Sequence, residues 1–92
     1  MCPYIKKIGR DFYDPKMKQL IESLNSDTPK GDVNYLACMI AIKAIGTKLD
    51  YQRISEIRDV FMDVWDEIGE RIMHPYERKK IVENGDLPWP KI

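Results

Sequence analysis

Two groups of side chains in this sequence have the chemistry to hold an anion that carries a ring. Near the start stand Tyr4, Lys6, Lys7 and Arg10, and near the end Tyr76, Arg78, Lys79 and Lys80. Ammonium and guanidinium groups neutralise phosphate oxygens, and a phenol ring stacks on a base or packs a cation. A third element is the string Gly31-Asp32-Val33-Asn34-Tyr35. Glycine frees a turn, Asp32 is an N-cap, and Asn34 and Tyr35 then fall in a first helical turn whose amide N–H groups have no partner. The expected ligand set is therefore Tyr4, Lys7, Arg10, Asn34, Tyr35, Tyr76, Arg78 and Lys80, brought together across subunits.

A competing chemistry lies in the carboxylates of Glu56-Ile57-Arg58-Asp59 and Glu67-Ile68-Gly69-Glu70. Two carboxylates at i,i+3 can share a divalent cation, as in Mg²⁺-dependent nucleotide pyrophosphohydrolases. The two pairs start eleven positions apart on one helix, about 16 Å at 1.5 Å per residue, so they meet only across an interface. Arg53, Arg58 and Arg71 interspersed among them suit an ordinary solvated face. Strings for phosphate cradling or an activated nucleophile are missing. Cys2, Cys38 and His74 lack the paired spacing of a zinc site or disulfide framework. No cofactor or catalytic residue is expected, and the chain reads as a binder rather than an enzyme.

These residues need helices to position them. Asp14-Pro15 reads as a helix start, followed by Met17, Leu20, Ile21 and Leu24 at three- and four-residue steps. Asn25–Gly31 is turn chemistry throughout. A second helix runs from Asp32 to Ile45, apolar almost all round, and Gly46 stops it. A third opens at Asp50 and carries Ile54, Ile57, Phe61, Val64, Trp65, Ile68 and Ile72 as its seam. Pro75 is expected to end or kink it, a short helix to follow, and the tail 86–92, with Pro88 and Pro90 around Trp89, to be extended. The expectation is an all-α fold: a small bundle of three main helices near 15–25, 32–45 and 50–73, a short C-terminal helix, and an ordered N-terminal arm over 1–13.

Composition sets the bounds. The 92 residues make one domain, with 15 basic and 15 acidic side chains and no net charge. A long nucleic acid is an unsuitable partner for such a balance. Residues 1–30 carry 6 basic and 4 acidic groups, 31–73 carry 5 and 8, and 74–92 carry 4 and 3. Mildly positive ends around an acidic middle favour a small anion. The longest apolar run, Leu36–Ile42, is too short to span a membrane, and Met1–Arg10 has no signal-peptide core, so a cytoplasmic protein is expected. A third helix of about 36 Å overshoots a globule about 32 Å across, which predicts a homo-oligomer.

Three strings, Pro3-Tyr4-Ile5, Gly31-Asp32-Val33-Asn34-Tyr35 and Pro75-Tyr76-Glu77 continuing to Lys80-Ile81-Val82-Glu83-Asn84-Gly85-Asp86, resemble a family of small bacteriophage-encoded proteins of unknown function. The resemblance implies a phage origin, hence the host cytoplasm, and an α-rich fold; it brings no activity. The expected function is capture of a small anionic, nucleotide-like ligand or a host factor by a non-enzymatic homo-oligomer, which with a phage origin would counter host defence. An adaptor docking a host or phage enzyme and a Mg²⁺-dependent hydrolase are the alternatives.

Overall fold

The computed structural model describes residues 4–92; Cys2, Pro3 and the start of the expected arm lie outside them. The described chain is helical throughout its ordered elements: α1 Lys7–Glu22, α2 Lys30–Ile45, α3 Tyr51–Ile68, a π turn Gly69–Met73, and α4 His74–Asn84. No strand occurs among the described residues, and the all-α expectation holds. The backbone divides into two compact units, Met1–Arg58 and Asp59–Ile92.

In the first unit, α1 corrects the expected start at Asp14-Pro15. The helix begins at Lys7, after Lys6 in extended conformation, and carries Pro15 inside it. Residues 7–13 are thus helix rather than arm. Proline's fixed φ suits a helix, and the loss is one hydrogen bond and a steric clash, about 3 kcal/mol. The flanking turns are braced locally. Lys7 pairs with Asp11 at 3.2 Å, and the Lys16 ammonium lies 3.7 Å over the Phe12 ring and donates to the Phe12 carbonyl. Ser23 closes the helix, its hydroxyl donating to Leu20 O at 2.6 Å.

The turn after α1 is built by its own polar side chains. The Asp27 amide donates to Asn25 Oδ1 at 2.8 Å, and the Asn25 amide to Thr28 Oγ1 at 3.0 Å. α2 then starts two residues earlier than expected. Pro29 is its N-cap, and Asp32 is a first-turn acid rather than the cap. Its carboxylate still complements the positive end of the helix. Gly46, at φ 81°, ends α2 in a conformation that side chains resist. Asp50 caps α3 as the sequence predicts, accepting from the Arg53 amide at 3.0 Å. Arg53 Nε reaches back to Ala44 O at 2.9 Å and ties α3's start to α2's end.

The expected break at Pro75 is replaced by a π turn. His74 N–H donates to Gly69 O, an i→i−5 bond, and α4 begins at once with Pro75 in its first turn. The π turn directly before Pro75 is where the continuous helix accommodates the missing N–H and the ring's bulk. The short C-terminal helix is therefore a continuation of the third, and helix runs from Tyr51 to Asn84. Gly85, at φ 81°, stops it.

Packing departs furthest from expectation. A bundle of three helices buries its seams, yet the only buried side chain among the described residues is Ile57. α1 and α2 stay too far apart to interlock, and Met39, Ile40 and Ile42 on α2 are all exposed. The chain forms its helices and leaves their apolar faces open.

Candidate functional site

The eight expected ligand residues fall in both units. Tyr4, Lys7, Arg10, Asn34 and Tyr35 belong to the first, and Tyr76, Arg78 and Lys80 to the second. In the first unit they do not form one anion site. Tyr4 precedes α1 and is half exposed, while Lys7, at the first residue of α1, has its charge matched by Asp11. Arg10 and Asn34 are exposed. Tyr35 lines a cleft of about 590 Å³ over the α1–α2 turn, with Asn25, Asp27, Thr28 and Asp32 among its neighbours. Two carboxylates, Asp27 and Asp32, and no Lys or Arg line this cleft.

The second unit does bring expected residues together. Tyr76 and Lys80, one helical turn apart, share a shallow groove of about 400 Å³ on α4. The Lys80 ammonium sits 5.6 Å from the centre of the Tyr76 ring and 3.1 Å from Glu83. The tail turns after Gly85 so that Leu87 and Trp89 complete the groove. That turn is held by the Leu87 amide donating to Asp86 Oδ1 and the Trp89 amide to Leu87 O, both at 2.8 Å. Tyr76 is 59% and Trp89 71% exposed, so two ring faces are available to a ligand beside one ammonium. Two carboxylates also line the groove beside Lys80, Glu77 paired with His74 Nδ1 at 3.1 Å and Asp86 accepting from the tail backbone. Arg78, on α4 but outside the groove lining, makes no ion pair among the described residues.

Trp89 and Asn84 were not among the expected ligand residues. Trp89 had a signal in the sequence: an aromatic between two prolines cannot hide inside a helix. That the tail returns to α4 depends on the Gly85 conformation, which spacing alone does not show.

The acidic face of α3 is dispersed along the helix. Among the described residues no three His, Cys, Asp or Glu side chains come together as metal ligands. Glu67 instead accepts from the Arg71 guanidinium, which holds its carboxyl below the usual carboxylate range. No described helix is long and apolar enough to cross a membrane.

No curated protein and no solved structure matches the chain. A family model does, over residues 2–87, nearly the whole length and including both the Pro3-Tyr4-Ile5 and Glu83-Asn84-Gly85-Asp86 strings. The chain belongs to the family described as domain of unknown function DUF6899.

Proposed function

We propose that this is a self-associating phage protein that captures a small nucleotide-like anion without turning it over, in the host cytoplasm, where such capture removes a signal of host defence. The observation that carries the reading is the α4 groove, whose lining holds two largely exposed aromatic rings, Tyr76 and Trp89, and the Lys80 ammonium beside Tyr76. Stacking on an aromatic side chain is worth about 1–3 kcal/mol per base. Lys80 and Arg78 supply charge-assisted bonds to phosphate. The phage origin rests on the three sequence strings.

Calorimetry with linear and cyclic nucleotides tests it. The parent chain binds at least one, and Tyr76→Ala and Trp89→Ala each weaken that binding about tenfold. Arg78→Ala weakens it by a similar factor while changing stability by less than about 0.5 kcal/mol. A parent that binds none at high micromolar ligand returns the groove to the adaptor reading, in which Trp89 anchors a protein partner.

A further inference from the structure

α2 is apolar almost all round, a pattern that calls for cover on every face, and the structure covers one. Ala37, Ala41, Ala44 and Ile45, which share a face at 100° per residue, are partly covered. On the opposite face Tyr35 is 64%, Met39 39% and Ile42 60% exposed. That open face centres on Asp32, Leu36, Met39 and Lys43, at steps of four, three and four. The four positions fall within about 60° of arc, the a/d stripe of a helix pair. Tyr35 and Ile42 flank the stripe on one side, Val33 and Ile40 on the other, all exposed. No residue from Val33 to Ile42 is charged, so the stripe is apolar between one first-turn acid and one last-turn base. Neither Asp32 nor Lys43 makes an ion pair among the described residues.

We infer that α2 pairs antiparallel with α2 of a second copy along this stripe, on a two-fold axis level with the Ala37–Cys38 peptide. The inference rests on the self-association in the proposed function and gives it a surface, and it uses no residue of the α4 groove. Three observations choose this occupant. First, the stripe is self-complementary about its centre: Leu36 falls opposite Met39, and Asp32 opposite Lys43, in both directions. A two-fold interface needs that property. Second, the charges that fix the direction lie on the contact stripe itself. Parallel pairing would set Asp32 beside Asp32 and Lys43 beside Lys43, and like charges in contact cost free energy. Antiparallel pairing makes two ion pairs and lays each helix start beside the other's end, where the helix dipoles attract. Third, the cleft of about 590 Å³ over the α1–α2 turn lies at the Asp32 end of the stripe. Asp32 and Leu36 line it with Asp27, a second carboxylate, and with Leu20 and Leu24 as apolar wall. The antiparallel register delivers Lys43 of the second copy to this end, a base where the lining holds acids and no Lys or Arg. A different partner would have to carry a base and an acid at the same spacing; a second copy brings both by symmetry.

Charge reversal with rescue tests the pairing, read by light scattering at micromolar concentration. The parent should give twice 10.8 kDa. Asp32→Lys and Lys43→Glu should each raise the dimer dissociation constant about tenfold or more, because both ends of the pair then set like charges together. An equimolar mixture of the two variants should recover the parent's dimerisation with one chain of each, since every reversed charge then meets its opposite. Each variant carries its own helix-end penalty into the mixture, so recovery cannot come from helix stability. Met39→Glu should raise the dissociation constant about 100-fold by burying a charge without a partner. Should a reversal lose its helix by circular dichroism, Asp32→Asn and Lys43→Gln take its place, each expected to weaken the dimer about threefold. A 10.8 kDa parent overturns the pairing together with self-association. A dimeric parent indifferent to these charge changes, or two reversed variants that stay apart when mixed, overturns this pairing and leaves self-association standing.

Discussion

The two units use the same kinds of residue and reach different degrees of completion. In the first, polar side chains organise the turns, Asp50 caps a helix, Arg53 ties α3 to α2, and Ile57 is buried. In the second, the ion pairs Glu67–Arg71, His74–Glu77 and Lys80–Glu83 each join residues three or four apart on one helix, and no described side chain is buried. Helix formation needs only local bonds, whereas burial needs a second surface. The difference teaches that the second unit's helix is carried by local bonds rather than by burial.

The largest expected effect tests that contrast at its one fixed point. Ile57→Ala should destabilise the chain by about 2–5 kcal/mol in urea unfolding, as loss of a buried aliphatic side chain does. Val82→Ala, at a position 86% exposed, should stay within about 0.5 kcal/mol. Equal effects would erase the distinction between the units.

The prolines give the next comparison. Pro15 stands inside α1 with nothing to absorb it, so Pro15→Ala should stabilise the helix by up to about 3 kcal/mol and raise helicity by circular dichroism. Pro75→Ala should gain less, because the π turn before it already accommodates the proline. Glycine substitutions follow. Gly46→Ala and Gly85→Ala should each cost on the order of 1–3 kcal/mol from their positive φ. Gly31→Ala, in a helical position with open space around it, should be neutral or mildly stabilising in the same thermal melts.

The smallest effect is that of pH. Glu67 titrates below its unfolded value because Arg71 donates to its charged form. The stability from this pair is present above the unfolded carboxylate value and lost as pH falls through the lowered folded value. Glu67→Gln should therefore flatten the acid side of the stability profile and leave neutral pH nearly unchanged.

Much of the fold was legible because helix signals are local. Asp50, Gly46, Gly85 and the Asn25–Thr28 turn do what their side chains suggest. Asp14-Pro15 misled because Ile8 and Phe12 upstream, which read as an ordered arm, belong to a helix that runs on through the proline. Asp32 misled by being a good cap two residues inside a helix that Pro29 had already begun. Of the site, Tyr76 and Lys80 were legible as neighbours on one helical face. The carboxylates around Tyr35 come from a turn whose fold spacing does not reveal, and Trp89 joins through a positive-φ glycine.

The π turn also sets a rule for how this chain can change length. Its additional residue is a phase shift of nearly a third of a turn, carried into every position after it. Removing one residue between Gly69 and Met73 would return the helix to ordinary winding and leave most side chains chemically intact. It would also swing the Tyr76–Lys80 face, with the groove it carries, to another bearing relative to the Phe61–Ile68 stripe, and push Pro75 into a helix interior. A shortening of that kind breaks geometry without touching chemistry.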